Sequence, residues 1–156
     1  MKDYHCTIKI NAPAEKVYKA ITTQQGIQNW WTSDCVAESK QGGKATMRFG
    51  NTFAIMQFEK LTPYTEVQWK CLEQYHEAQP PLKKKNEWDG TRIVFKIKSI
   101  DPMHSELDFI HNGLNPAMEC YHICEKGWDH FLKNSLKGYL ENGKGTIYQS
   151  WQDNKR

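Results

Sequence analysis

Residues 117–142 of the chain read AMECYHICEKGWDHFLKNSLKGYLEN, and their apolar side chains recur every three or four positions. Residues at this spacing lie on one face of an α-helix, so the stretch predicts a single long amphipathic helix. At about 1.5 Å per residue, such a helix measures roughly 37 Å, which is long enough to cross a small domain. Gly143 and Gly145 are expected to end it. The expected apolar face consists of Cys120, Ile123, Cys124, Gly127, Trp128, Phe131, Leu132, Ser135, Leu136, Tyr139 and Leu140.

Upstream of this helix, the chain consists largely of segments in which apolar and polar residues alternate. This period of two is typical of β-strands with one buried face. Short turns at Gly50-Asn51, Pro63-Tyr64 and Asp101-Pro102 join the segments and predict an antiparallel meander. The segment 52–60 is apolar on both faces, and 76–87 is predicted to be a polar loop. The expected buried faces contain Tyr4, Cys6, Ile8, Ile10, Ala45, Met47, Phe49, Val67, Trp69, Cys71, Thr91, Ile93, Phe95, Ile97, Leu107, Phe109 and His111.

Two short helices are predicted between the first strand and the meander. Pro13 suits the start of the first helix, and Gly26 separates it from a second helix that contains Trp30 and Trp31. Adjacent helical residues diverge by about 100°, so these two tryptophans are not expected to face one pocket equally. The predicted fold class is therefore α+β, with a curved antiparallel sheet of about seven strands around the long C-terminal helix.

Length and composition restrict the class of protein further. The 156 residues fit one domain, expected to span 1–145, with a polar C-terminal tail at 146–156. The net charge of +3 is dispersed, which argues against nucleic-acid binding, and no apolar run is long enough to span a membrane. Five cysteines without a secretory signal indicate free thiols and a cytoplasmic location. We expect a monomer or a homodimer.

Two motifs in the chain resemble a known family. The first is APAEKVY at 12–18 followed by IQNWW at 27–31, and the second combines Gly127-Trp128, Phe131-Leu132, Leu136, Tyr139-Leu140-Glu141 and Gly143. Together they resemble the START-like (SRPBCC) superfamily, and within it the branch named for the activator of the heat-shock-protein-90 (Hsp90) ATPase. The resemblance covers nearly the whole chain and implies a helix-grip fold with a hydrophobic cavity. It implies less about activity, because superfamily members include lipid carriers, cyclases, aromatases, hormone receptors and a co-chaperone domain.

The expected cavity between sheet and helix suggests a small apolar ligand, either lipid-like or aromatic, as the partner of this domain. His111 and Tyr75 are the polar groups expected to reach that ligand. The alternative for His111 is a structural role, as a histidine near the end of its strand that is satisfied by backbone groups or water, and the lack of an orienting partner in the sequence favours this alternative. The residues predicted to line the cavity are Trp30, Trp31, Met47, Phe49, Trp69, Tyr75, Phe95, Phe109, His111, Cys124, Trp128 and Phe131.

Two other functions remain open from the sequence. A cyclase- or aromatase-like enzyme would use His111 as a base together with Tyr75. A protein-interaction module would be related to the co-chaperone domain, although the co-chaperone carries an additional N-terminal domain and its activity is therefore not expected here. Neither a Ser-His-Asp order nor a phosphate-binding glycine loop is present. Ligand binding is the leading hypothesis, and an enzyme is the less favoured one.

A possible metal motif at Cys120, His122 and Cys124 is weakened by its own spacing. On a helix, Cys120 and Cys124 share a face, whereas His122 points roughly 160–200° away from them. Two thiolates alone do not complete a tetrahedral zinc site. We therefore expect neither a metal site nor a cofactor.

Chelation tests this expectation directly. Adding EDTA should leave the melting temperature of the purified protein unchanged, because no bound metal would contribute to the free energy of unfolding. Differential scanning calorimetry with and without EDTA measures the effect. A clear fall in melting temperature would show that the protein holds a structural metal.

Overall fold

A single antiparallel sheet wraps around a C-terminal helix in the computed structural model, which describes residues 2–78 and 80–149. The strands are β1 (Tyr4–Ile10), β2 (Cys35–Ala37), β3 (Lys44–Phe49), β4 (Thr52–Thr62), β5 (Glu66–Tyr75), β6 (Arg92–Asp101) and β7 (His104–Asn112). Their order in the sheet is β1-β7-β6-β5-β4-β3-β2. Each strand after β2 pairs with its predecessor in the chain, and β1 closes the far edge beside β7. The predicted seven-stranded α+β fold is confirmed.

Helices α1 (Ala14–Thr22) and α2 (Gln24–Trp30) connect β1 to β2, as the sequence predicts. The side chain of Thr23 accepts a hydrogen bond from the backbone N–H of Gly26 at 3.0 Å, which caps the start of α2. A Cβ atom placed on Gly26 would lie 2.6 Å from the Cα atom of Ala20. The glycine therefore allows the two helices to pack closely, in addition to separating them.

The inner face of the sheet carries the predicted alternation. Val67, Trp69 and Cys71 of β5 are buried, as are Ile93 and Phe95 of β6. Strand β4 is apolar on both faces, and the structure resolves which face is internal: Ala54, Met56 and Phe58 are buried, whereas Phe53 and Ile55 are only partly covered.

The C-terminal helix differs from the sequence prediction at its start and in its middle. It begins at Tyr121 and consists of α3 (Tyr121–Asp129), a π-helical segment (His130–Leu136) and α4 (Lys137–Asn142). Within the π-helical segment, the hydroxyl of Ser135 donates to the carbonyl of Trp30 at 2.5 Å. Gly143 ends the helix with a φ of 81°, as predicted.

Residues ahead of α3 form turns instead of the predicted first helical turn, and the Glu87 carboxylate binds two of their backbone N–H groups. Glu87 accepts from the backbone N–H groups of Glu119 and Cys120 at 3.1 and 3.0 Å. In return, the Glu119 carboxylate accepts from the backbone N–H groups of Lys83 and Lys84 at 2.9 and 2.8 Å. The loop after β5 and the start of α3 therefore cap each other.

The predicted tail begins on the surface of the domain. The backbone N–H of Thr146 donates to the Ser135 hydroxyl at 2.8 Å, and that of Tyr148 donates to the carbonyl of Trp31 at 2.8 Å. Residues 150–156 lie outside the described residues. Within the described part of the chain, no helix is long and apolar enough to cross a membrane.

Two glycine-to-alanine substitutions test the close approach of α1 and α2. Gly26→Ala should lower the free energy of unfolding by about 1–3 kcal/mol, because its methyl group has no room. Gly127→Ala is the matched control, since nothing lies within 4 Å of a Cβ atom placed there. It should be neutral or raise stability by up to ~1 kcal/mol. Urea denaturation measures both changes, and equal effects of the two substitutions would contradict the proposed packing.

Candidate functional site

A small cleft opens at one end of the sheet, between β3, β4, β5, the loop after β5 and the C-terminal helix. It has a volume of about 180 Å³. Aromatic and aliphatic side chains provide most of its surface. The cleft is lined by Trp31, Phe49, Thr52, Phe53, Ala54, Gln74, His76, Trp88, Ile123, Cys124 and Phe131.

Stacked indole rings support the inner side of the cleft. Trp31 lies 5.1 Å from Phe49 and 5.1 Å from Trp128, measured between ring centroids. Behind it, Trp30 and Trp31 stack with centroids 5.7 Å apart and planes 7° from parallel. Both rings are buried, but they do not face the cleft equally, as expected for adjacent helical positions. Trp31 is the C-cap of α2, and only Trp31 of the pair lines the cleft.

Only four of the twelve residues predicted to line a cavity do so in this cleft: Trp31, Phe49, Cys124 and Phe131. Seven others are packed against one another in the core beneath it. Large aromatic rings fill this space, as shown by the Trp69–Phe95 and Phe109–Trp128 contacts at centroid distances of 4.8 and 4.6 Å. These seven residues are Trp30, Met47, Trp69, Phe95, Phe109, His111 and Trp128.

Tyr75 is the twelfth predicted residue, and it lies on the opposite side of β5 from Trp69. A register shift between Ile55 and Met56 of β4 places Glu73 and Cys71 opposite consecutive residues, so β5 changes face there. The ring of Tyr75 stacks with Phe53 at 6.1 Å between centroids. The prediction that Tyr75 shares a face with Trp69 was wrong because simple alternation does not allow for a bulge.

His111 is fully buried, and both of its ring nitrogens have partners. The Nε1–H of Trp128 donates to His111 Nδ1 at 3.1 Å. The Thr91 hydroxyl donates its proton to the carbonyl of Trp88 at 2.7 Å, and its oxygen lies 2.8 Å from His111 Nε2. Because that proton is already used, Nε2–H must donate to Thr91. We call this series of hydrogen bonds the His111 chain: Trp128 to His111 to Thr91 to Trp88.

The His111 chain fixes a neutral imidazole in one tautomer. Burial lowers the pKa of His111 to about 3, because the charged form would lose its hydration. The ring does not line the cleft and has no free nitrogen with which to accept a proton from a ligand. The structural role that the sequence analysis held open for His111 therefore accounts for its geometry.

Trp88 and Gln74 were missed by the sequence analysis. Gln74 becomes buried because of the bulge in β5, and its Oε1 accepts from the backbone N–H of Trp88 at 2.9 Å. Trp88 comes at the end of a polar loop, and no hydrophobic periodicity in the neighbouring residues predicts that it is buried. Its ring stacks on Trp128 at 5.7 Å, with planes 9° apart. Its Nε1 is buried and has no hydrogen-bond partner among the described residues.

The cysteines near the cleft are free thiols. Cys120 is buried, and a hydrogen bond with Cys124 together with burial raises its pKa. A raised pKa keeps the thiol protonated and lowers its nucleophilicity. Among the described residues, no group of three or more His, Cys, Asp or Glu side chains is placed to hold a metal ion.

A curved antiparallel sheet around one long helix, with an aromatic cleft at its open end, defines a helix-grip domain. The family model described as Activator of Hsp90 ATPase homolog 1-like protein matches residues 11–141. The chain therefore belongs to this family, as its sequence motifs predicted. A comparison with curated proteins gave no match.

Solved structures show the same fold. The Aha1 dimer from Colwellia psychrerythraea is 29% identical, with a TM-score of 0.75 over 93% of this chain and 100% of that chain. DynU16, from the dynemicin biosynthetic locus, is 16% identical, with a TM-score of 0.71 over 93% of this chain and 49% of that chain. PFC0360w, an Hsp90 activator from Plasmodium falciparum, is 20% identical, with a TM-score of 0.60 over 89% of this chain and 94% of that chain.

Acidification tests the buried state of His111. In the unfolded chain His111 takes up a proton near pH 6.5, whereas in the folded chain it does so only near pH 3. The contribution of neutral His111 to the free energy of unfolding is therefore complete above pH 6.5 and is lost progressively as the pH falls toward 3. The free energy of unfolding should fall by ~1.4 kcal/mol per pH unit below pH 6.5, or about 2 kcal/mol at pH 5. Urea denaturation from pH 7 to pH 5 measures the slope.

His76 provides the control for this slope, because it is only half-buried and burial lowers its pKa as well. The His76→Gln variant should keep most of the pH dependence. A His111→Gln variant that still folds should lose it. A wild-type stability that is constant between pH 7 and pH 5 would contradict the assignment of His111 as a buried neutral group.

Proposed function

We propose that this protein is a small-molecule binding domain that takes the apolar part of a lipid-like or aromatic ligand into the cleft. The observation that carries the proposal is the composition of the cleft wall. Of its residues, Trp31, Phe49, Phe53, Trp88 and Phe131 present aromatic rings, and Ala54 and Ile123 add aliphatic surface. Contact with such a wall removes apolar ligand surface from water, which is the main source of affinity in pockets of this kind.

The size of the cleft indicates how much of a ligand it holds. Drug-sized ligands fill pockets of about 300–1,000 Å³, whereas an engineered apolar cavity of about 150 Å³ binds benzene. At about 180 Å³ the cleft suits a single ring or a short alkyl chain. Ile123 is exposed beside it, so a longer ligand could continue across the helix surface.

Binding fits the geometry better than catalysis. The cyclase-like alternative depends on His111 and Tyr75, and neither residue lines the cleft. The ring nitrogens of His111 are engaged in the His111 chain. The hydroxyl of Tyr75 donates to Glu77 at 2.8 Å, and this bond raises the pKa of the phenol. A pair of residues held apart in this way does not form an acid–base site.

Tryptophan fluorescence tests the proposal, because Trp31 and Trp88 line the cleft. Titration with one-ring and short-chain apolar compounds should change the emission saturably. Replacing the half-buried Cys124 with phenylalanine should fill the cleft and weaken binding by about tenfold or more. Val36→Phe is the matched control, since Val36 is exposed on β2 and does not line the cleft.

Loss of the signal in Cys124→Phe but not in Val36→Phe would support the cleft as the site. If both folded variants bind as the wild type does, the ligand lies elsewhere. If a broad panel of apolar compounds gives no saturable change with the folded wild type, the proposed function is wrong.

A second candidate function is binding to an Hsp90-type chaperone. It is favoured by the family description and by the Plasmodium falciparum neighbour described as an Hsp90 activator. The chain also has a broad surface groove of about 630 Å³ between α1, α2 and α4, with Lys16, Lys19 and Glu141 among its lining residues. Stimulation of the Hsp90 ATPase by the purified protein would support this function, and an unchanged rate at saturating protein would exclude activation.

A further inference from the structure

The chain that follows the C-terminal helix crosses the surface of the domain toward the cleft. We call residues 143–149 the strap. It passes closest to the domain at Gly145, where a Cβ atom would lie 2.3 Å from the carbonyl oxygen of Asn29 and 3.0 Å from the hydroxyl oxygen of Ser135. Glycine has no side chain to prevent such an approach of two backbones. The strap therefore lies directly on α2 and the C-terminal helix.

Three hydrogen bonds attach the strap to the domain. The backbone N–H of Thr146 donates to the hydroxyl of Ser135 at 2.8 Å, and Nε2 of His130 donates to the carbonyl of Thr146 at 3.0 Å. Two residues further along, the backbone N–H of Tyr148 donates to the carbonyl of Trp31 at 2.8 Å. These bonds join the strap to the C-terminal helix at one point and to the end of α2 at another.

The attached strap lies against three residues of the cleft wall. The ring of Tyr148 meets that of Phe49 edge to face, with centroids 5.5 Å apart and planes at 87°. Its backbone N–H binds Trp31, and the ring of His130 contacts Phe131 at 4.9 Å between centroids. Trp31, Phe49 and Phe131 all line the cleft.

Phe49 is the wall residue that depends most on the strap. Its ring contacts Trp31 at 5.1 Å and Tyr148 at 5.5 Å between centroids. Trp31 is buried and packs on Trp128 at 5.1 Å, whereas Phe49 is only partly buried. The side chain of Tyr148 fills space beside Phe49 that the phenylalanine ring could otherwise enter, because protein interiors leave few voids.

The turn after Phe49 is also in reach of Tyr148. A Cβ atom placed on Gly50 would lie 3.0 Å from the Tyr148 hydroxyl oxygen. Gly50 has a φ of 67°, a conformation that glycine adopts without strain. Tyr148 therefore adjoins both the ring of Phe49 and the backbone that follows it.

We propose that the strap, through Tyr148, limits the width of the ligand that the cleft admits. With the strap attached, the cleft of about 180 Å³ holds a single ring. When the strap is displaced, Phe49 moves into the space that Tyr148 leaves, and a second fused ring fits. The inference rests on the proposed binding function and adds the residue that determines specificity for ligand size. Tyr148 is a positioning residue, because it acts through Phe49 and is not among the described lining residues.

Toluene and naphthalene test the proposal, since they offer one ring and two fused rings without polar groups. Dissociation constants are measured by NMR titration of ¹⁵N-labelled protein. The wild type should bind toluene more tightly than naphthalene, although naphthalene has more apolar surface to bury. In Tyr148→Ala the preference should reverse, and the ratio of the two dissociation constants should change by about tenfold.

Two further variants separate the ring contact from a general loss of structure. Tyr148→Phe keeps the ring and should keep the wild-type preference for toluene. Gly145→Ala displaces the strap by a different route, because its methyl group collides with the Asn29 backbone, and should behave as Tyr148→Ala does. Gly127→Ala is its matched control, since nothing lies within 4 Å of a Cβ atom there.

Hydrogen exchange of the Tyr148 amide in the wild type is the direct readout. This N–H is protected by its bond to Trp31 while the strap is attached. Saturation with naphthalene should speed its exchange, and saturation with toluene should not. The wild-type measurement decides the question if Tyr148→Ala and Gly145→Ala do not fold.

The outcomes distinguish the role of the strap from ligand binding itself. An unchanged preference for toluene in folded Tyr148→Ala and Gly145→Ala would overturn the role of the strap and leave apolar binding intact. A wild type that prefers naphthalene while the Tyr148 amide stays protected would do the same. Tyr148→Phe behaving as Tyr148→Ala does would overturn the ring contact as the cause. Failure of both compounds to bind the wild type and the folded variants would overturn the proposed binding function as well.

Discussion

The hydrogen bond from Trp128 Nε1 to His111 Nδ1 is the interaction on which the rest of this architecture depends. Trp128 belongs to the C-terminal helix and His111 to strand β7 of the sheet, so this bond joins the two layers through buried polar atoms. The bond also determines which nitrogen of His111 keeps its proton, and Thr91 then extends the chain to Trp88. A polar network in a protein interior strengthens specificity only when each member is satisfied. Here the His111 chain orients the loop that forms one wall of the cleft.

Among the described residues, tryptophan rings fill much of the space between the sheet and the C-terminal helix. Trp30, Trp31 and Trp69 lie in mutual contact, with Trp31–Trp69 centroids 5.7 Å apart. Each indole buries up to about 250 Å² of surface, so a few of them occupy the volume that smaller residues would leave open. The identities of a few aromatic side chains determine whether the space holds a ligand or protein atoms.

Much of the fold could be predicted because it depends on local patterns. Alternation identified the inner faces of β5, β6 and β7, and helical spacing identified Trp128 and Leu132. The site was harder to predict because its features are not periodic. Tyr75 was placed on the wrong face because a bulge in β5 reverses the alternation, and Gln74 was missed for the same reason. Trp88 lies beyond a polar loop, so its burial depends on tertiary contacts with Trp128 and His111 that no local pattern records.

The reciprocal capping between Glu87 and Glu119 gives the cleft a cooperative boundary. Glu87 holds the backbone just before α3, and Glu119 holds the loop at Lys83 and Lys84. Pulling the loop away from the cleft leaves both backbones without their acceptors at once, so the loop and the first turn of the helix separate as one unit. The four hydrogen bonds therefore tie the cleft wall that carries Trp88 to the helix that carries Cys124.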